Sequence, residues 1–409
     1  MDGSDGVDRA GATRVGAPRG RATTVGATTV GAGAVSRTSQ GPGWWLASDG
    51  RWYPPETRPR VSVPPPVPAE APRRVGVPFS AGVPASAGVP ANKEGLPRFA
   101  AVVPPSERVP PPAGGPEFVV VGLSDGRLLE ALVAGPEGGV PLVCHHGTPF
   151  AAAPRPVALA VARDHGLRTI IANRPGYAGS TARPARTVAD VASDTAALLD
   201  QLGHGRFLTL GWSGGGPHAL ACAALLGDRC MAAATVGGVA PADAGGLAWL
   251  DGMGPENVEE FTLARSGGLA FSSFLERSAA TMADVSGAQL AASLGGLVSD
   301  VDRDTLTHEL ADSLAASLRS ALSRGVEGWR EDDLAFLAPW GFDPGAVRGP
   351  VAVWQGGQDL MVPPSHGAWL ADHVPAARRW LLPAEGHLSL VVDFDRVVRD
   401  LLDLAGPER

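Results

Sequence analysis

Only three cysteines, Cys144, Cys222 and Cys230, occur in 409 residues. An odd number without CxxC spacing argues against a disulfide framework and against a zinc site, and it suits a reducing cytoplasm. Long apolar runs are missing too. The most apolar stretch, 219–239, is broken by Asp228 and Arg229, and the opening MDGSDGVDRAGA has no apolar h-region, so neither a membrane span nor an export signal is expected. Most of the chain also lacks a basic surplus. Residues 1–115 carry 13 Lys+Arg against 8 Asp+Glu, but the remainder carries 21 against 34. An acidic body repels phosphate backbones and anionic lipid heads, so no nucleic-acid partner and no membrane partner is expected.

What the first 115 residues do contain is 19 Pro and 17 Gly, above the roughly 25–30% that marks low-complexity, disordered composition. The echoes ATTVGATTVGA (22–32) and SAGVPASAGVPA (80–91) offer no stripe to bury. One island differs: residues 41–56 place Trp44, Trp45, Trp52 and Tyr53 around a Ser-Asp-Gly turn signal. It reads as a marginal two-stranded hairpin, with a docking role toward a protein partner as the alternative.

From residue 117 the pattern changes to strand-length apolar runs separated by helical stretches. EFVVVG (117–122) and LLEALVA (128–134) flank SDG and read as an antiparallel hairpin. VPLVCHHG, LRTIIANRPG, RFLTLGWS and MAAATVGGVA are near-continuous apolar runs, as parallel strands covered on both faces require. The segments between them carry apolar residues at helical spacing. Residues 241–342 interrupt the alternation with Ala-, Leu- and Ser-rich helical patterns, and VAVWQGG and RRWLLPAEGH resume it. The expected organisation is therefore a tail over 1–115, an α/β core over 116–240 and 343–409, and a helical cap over 241–342.

Two serines sit in G-x-S-x-G strings. With 54 Gly in the chain, such a string carries little weight alone. Ser124, in GLSDG, joins two hairpin strands with no helix behind it and is set aside. Ser213, in GWSGG, follows the buried strand FLTLG and precedes a helix near Pro217. A strand-turn-helix corner projects the hydroxyl above the sheet and aims a helix N-terminus at developing negative charge. A serine needs a base, and the base an orienting carboxylate. His387 follows RRWLLPAEG and Asp359 follows VAVWQGGQ, so both fall at C-terminal strand edges, where open α/β sheets place their sites. Asp243, one strand earlier, is the alternative acid. Two N–H donors are required for an oxyanion; Gly214, after the nucleophile, supplies one, and Thr148 in HHGTPF is the candidate for the other. His146 is assigned to bracing that loop, and His145, His218, Arg174 and Tyr177 to structural roles.

Taken in order, HHGTPF, NRPGYAGS, GWSGGGPHAL, WQGGQDLMVP and EGHLS resemble the α/β-hydrolase superfamily over residues 117–409. The resemblance implies an eight-stranded, mostly parallel α/β sheet, an inserted helical cap between strands six and seven, and a triad of Ser213, Asp359 and His387. The expected activity is cofactor-independent serine hydrolysis of an acyl bond, most readily a carboxylic ester of a small to medium apolar substrate, with no metal. Two alternatives stand beside it: a hydrolase-fold ligand receptor or partner-binding protein, and a carbon–carbon bond hydrolase or perhydrolase on the same triad. Trp249, Phe271, Phe274, Trp329 and Phe336 are cap aromatics able to supply apolar walls, none of them assigned to binding.

Overall fold

The computed structural model describes residues 45–46, 52–53 and 114–406. It divides into two units, over 1–98 and 99–409. In the first, the short strands β1 (Trp45–Leu46) and β2 (Trp52–Tyr53) pair antiparallel, Trp45 opposite Tyr53 and Leu46 opposite Trp52. The aromatic island thus contributes two paired strands. The rest of the expected tail, and its docking role, lie outside the described residues.

The second unit is built on an eight-stranded sheet of order β10-β9-β8-β7-β5-β6-β4-β3. Its strands are β3 (Glu117–Gly122), β4 (Leu128–Ala134), β5 (Val140–His145), β6 (Leu167–Ala172), β7 (Phe207–Trp212), β8 (Cys230–Val236), β9 (Val351–Gly356) and β10 (Arg378–Leu382). Only β3–β4 and β4–β6 pair antiparallel; the other neighbours are parallel. Every residue of β7, β8 and β9 is buried, whereas the edge strands β3 and β10 are largely half-buried or exposed. The central apolar runs thus have helices over both faces, and the edges do not need them.

Two separate apolar clusters form those faces. Helices α2 (Asp190–Gln201), α3 (Gly216–Leu225) and α10 (Pro364–His373) cover one, and α1 (Pro156–Asp164) and α11 (Phe394–Ala405) the other. Helix α11 shows why: Val397, Val398, Leu401 and Leu402 form its buried stripe, and Asp393 caps it by accepting the Arg396 N–H at 3.3 Å. Each such aliphatic side chain contributes about 1.5–3 kcal/mol on burial. Helix α3 has no polar stripe at all, because its face away from the sheet is covered by α2.

Between β8 and β9 the chain runs through six helices: α4 (Pro255–Ser266), α5 (Gly268–Met282), α6 (Gly287–Ser293), α7 (Asp300–Thr305), α8 (His308–Leu322) and α9 (Glu327–Leu337). Ser286 and Gln289 form a capping box at α6, and Gly267, at φ +66°, ends α4. Phe271, Leu275, Ala264 and Trp329 make a small core of their own, while Leu310, Leu314 and Leu318 of α8 join the cluster below the sheet. Among the described residues no helix is long and apolar enough to cross a membrane.

Candidate active site

Register decides which loops meet. Strands β5 and β7 are neighbours with His145 opposite Gly211, so the loops leaving them, His146–Phe150 and Ser213–Gly215, start level and side by side. The loop after β10 starts farther off, three strands from β7 at about 4.8 Å per strand. It folds back over the end of β9: the Gly357 N–H donates to the Leu382 carbonyl at 2.8 Å, and the Gln358 N–H to that of Glu385 at 2.8 Å. That return brings His387 toward the centre of the sheet.

Ser213 follows β7 directly and begins a single 3₁₀ turn leading into α3. Its φ of +55° is left-handed, a conformation that costs a non-glycine residue about 1–2 kcal/mol. The strain sits where the chain must reverse from strand to helix while presenting the hydroxyl outward. The glycine that follows is dictated by contact: a Cβ on Gly214 would run into Thr148 Oγ1 and, at 3.0 Å, the Phe336 ring. Gly147 approaches as closely from the other side, where a Cβ would lie 3.3 Å from Ser213 Cβ. The structure therefore brings Ser213, Gly214 and Thr148 into one corner. The Thr148 N–H has no protein acceptor among the described residues.

His387 and Asp359 are both almost fully buried. His387 Nδ1 lies 2.7 Å from Asp359 Oδ2, and Asp359 Oδ1 accepts the N–H groups of Met361 and Val362 at 2.9 and 2.8 Å. The carboxylate is thus held by its own loop before it meets the imidazole. Burial by itself would lower the His387 pKa, but the charge and hydrogen bond of Asp359, with Asp302 behind them, hold it above its ordinary 6.5. Nε2 is buried and has no hydrogen-bond partner among the described residues, Ser213 included. Ser213 and His387 line the same cavity, of about 320 Å³, together with Thr148 and Gly214. Asp243, the alternative acid, is exposed in the loop after β8, and Asp359 occupies the position beside the imidazole.

Several residues in this architecture escaped the sequence reading. Asp302 of α7, fully buried, accepts the backbone N–H groups of His387, Leu388 and Ser389 at 2.9, 2.7 and 3.1 Å. Ser299-x-x-Asp302 has the spacing of a capping box, and nothing local shows that the carboxylate serves a loop 85 residues away. Gly237, at φ +56°, stands against the pair: a Cβ there would lie 3.0 Å from His387 Nδ1 and 3.3 Å from Asp359 Oδ2.

Asp332 of α9, also fully buried, receives Arg174 Nη2 at 2.5 Å, Arg186 Nη2 at 2.6 Å, the Tyr177 hydroxyl at 2.8 Å and Thr148 Oγ1 at 2.6 Å, with His218 Nε2 3.6 Å away. Burial would raise this carboxyl's pKa, but the Arg174 and Arg186 guanidiniums hold it well below the usual range. Arg174 also donates to the carbonyls of His146, at 2.5 Å, and Gly147, at 3.3 Å. The Arg174 N–H points at His146 Nε2 (3.3 Å), so the proton of this histidine sits on Nδ1 and reaches the Gly147 carbonyl at 2.9 Å. His146 braces the loop, and Arg174 and Tyr177 do more than shape a turn: they tie Thr148 to the cap. Of the five cap aromatics, Phe274, Trp329 and Phe336 line the cavity; Trp249 packs in the main core and Phe271 in that of the cap. Among the described residues no group of three His, Cys, Asp or Glu side chains is placed to hold a metal ion.

Residues 140–394 match the model of the alpha/beta hydrolase fold family. The chain belongs to that family. A search of curated proteins finds no match. Among solved structures the chain is similar to a bromoperoxidase from Bacillus anthracis (19% identity, 70% of this chain and 100% of that one, TM-score 0.53). It is also similar to an esterase from Rhodococcus sp. ECU1013 (21%, 71% and 100%, 0.50) and a thermophilic esterase from Thermogutta terrifontis (20%, 71% and 100%, 0.50). At these identities the likeness is one of fold, and what an alpha/beta hydrolase of this sequence does has to be argued from its site.

Proposed function

We propose that the protein is a serine hydrolase acting on an acyl bond, most readily a carboxylic ester, with Ser213 as nucleophile, His387 as base and Asp359 as its orienting acid. The observation that carries this reading is the buried 2.7 Å His387–Asp359 contact, which leaves Nε2 without a partner among the described residues in the cavity that also holds Ser213. A structural histidine buried this deeply ordinarily has both nitrogens satisfied.

The steps follow from the positions. A substrate carbonyl over Ser213 is attacked by Oγ as Nε2 takes the hydroxyl proton, and the imidazolium that forms is stabilised by Asp359. The oxyanion is received by the Gly214 and Thr148 N–H groups, each worth about 10²–10³ in kcat when preorganised. Asp332 and Arg174 hold the Thr148 loop in place beforehand, so the donors need not reorganise during reaction. The imidazolium then protonates the leaving group, and water resolves the acyl-enzyme by the reverse route.

The test is turnover of a panel of aryl esters by the full chain beside Ser213→Ala. Turnover abolished in the variant supports the reading. No turnover by the full chain, with no labelling of Ser213 by a fluorophosphonate, overturns it and favours a ligand receptor on the same fold.

A further inference from the structure

The cavity that holds Ser213 and His387 has a second polar feature that the proposed chemistry does not use. Asp333 of α9 is fully buried and lies in the cavity wall, and among the described residues no N–H or hydroxyl group donates to either of its carboxyl oxygens. Its neighbour is the carboxyl of Glu260 from α4, which accepts Trp329 Nε1–H at 2.7 Å. Two neighbouring carboxyl groups in a dry wall resist being ionised together: burial raises the pKa of both, and the charge of Glu260 and the contact with it raise that of Asp333 further, while the same contact and the Trp329 N–H pull Glu260 the other way. A single proton shared by the pair would relieve that repulsion.

The charges facing the pair come from two directions. Asp332, adjacent on α9, is committed to Arg174 and Arg186, and Arg186 also faces Asp333 from the segment before α2. With one proton on the pair, Arg174, Arg186, Asp332, Asp333 and Glu260 sum to zero. Exchanging that proton for another monocation preserves the balance. Among the described residues no Lys or Arg lines this cavity, Glu256 and Glu259 add two more carboxylates to its lining, and Trp329, Phe274 and Phe336 line it with aromatic rings of the kind on which ammonium groups rest well.

We infer that Asp333 and Glu260 form a cation subsite that selects substrates carrying a protonated amine, held against the two carboxyl groups from the cavity while the acyl carbonyl lies at Ser213. This deepens the hydrolase reading and rests on it for the word substrate, but the subsite itself is a matter of binding. When the amine enters as an ammonium, the shared proton leaves to solvent. No covalent change occurs at the pair.

Two measurements separate the claims. For the full chain at pH 7.5, kcat/KM is compared for 4-nitrophenyl 4-aminobutyrate and 6-aminohexanoate against the isosteric pentanoate and heptanoate. At least one ammonium ester is expected to exceed its isostere tenfold or more, with that ratio falling at least tenfold in Asp333→Asn and in Glu260→Gln. A ratio favouring the neutral ester at both lengths, or unmoved by both substitutions, overturns the inference while leaving ester turnover intact. Independently of turnover, titration calorimetry with hexylammonium and with 1-hexanol in buffers of different ionisation enthalpy is expected to show tighter ammonium binding with proton release, lost in Glu260→Gln. Equal binding of the two, or ammonium binding without proton release, overturns it even if the protein hydrolyses no ester, and needs no Asp333 variant that folds.

Discussion

The substitution Asp359→Asn tests the site most finely, because the surroundings dictate which way the new amide turns. Asp359 Oδ1 accepts two backbone N–H groups, from Met361 and Val362 at 2.9 and 2.8 Å, so the asparagine must keep its carbonyl oxygen there. Its NH₂ then falls where Oδ2 was, 2.7 Å from His387 Nδ1 and 3.2 Å from Gln355 Nε2, itself a donor. Two donors cannot face each other at hydrogen-bond distance, so the neutral imidazole is driven to the tautomer with its proton on Nε2. That nitrogen can no longer take the Ser213 proton. The loss expected for a triad carboxylate replaced in this way is about 10⁴ in kcat, or about 5.4 kcal/mol of transition-state stabilisation at 1.36 kcal/mol per decade. The assay is single-turnover acylation by an aryl ester at pH 7.5 with the melting temperature measured alongside. A variant that folds and acylates within tenfold of the parent refutes the assigned tautomer and the role of Asp359 together.

The kcat/KM profile should fall on the acid side with a midpoint above 6.5, because the base must be neutral and Asp359 and Asp302 hold the His387 imidazolium against its burial; a midpoint below 6.5 contradicts this. The same shift makes His387 a contributor to stability below pH 6.5, lost as pH rises through its folded value, so urea unfolding of His387→Gln against the parent should show the larger difference at pH 6 than at pH 9. Gly237→Ala adds a Cβ 3.0 Å from His387 Nδ1 at φ +56°; kcat should fall at least tenfold and stability by about 1–2 kcal/mol, read by ester turnover and thermal unfolding. Asp302→Ala leaves three buried N–H groups at residues 387–389 without their acceptor, at about 1–3 kcal/mol for each group left unsatisfied, so kcat should drop with a smaller change in KM; Asp302→Asn, which keeps an oxygen, should recover part of it. Asp332→Ala strands Arg174 and Arg186 in the interior and should cost about 3–5 kcal/mol by urea unfolding.

The sheet was legible because its signal is periodic and local. Strands β7, β8 and β9 are buried on both faces and read as near-continuous apolar runs, and the hairpin β3–β4 announces itself by Ser124-Asp125-Gly126 between two strand-length segments. The corner at Ser213 was legible for the same reason, since strand, glycine-rich turn and helix are consecutive. Asp359 and His387 were placed at strand ends by the same alternation, and the structure sets them 2.7 Å apart. The carboxylates Asp302, Asp332, Asp333 and Glu260 were not legible. They sit on cap helices, and helical periodicity does not tell which carboxylate turns inward. In the run Arg330-Glu331-Asp332-Asp333 the composition describes a solvated helical face, yet all three acids are buried, Asp332 among arginines supplied from about 150 residues earlier in the chain. Such pairings exist only once the cap has packed on the core.

The central claim is that Ser213 carries the acyl group. The most direct measurement is intact-protein and peptide mass spectrometry of the full chain quenched during turnover of a slow aryl ester. One acyl adduct is expected, on the peptide containing Ser213, missing in Ser213→Ala and formed several orders of magnitude more slowly in His387→Ala. Turnover that persists in Ser213→Ala, or an adduct on any other residue, would contradict it.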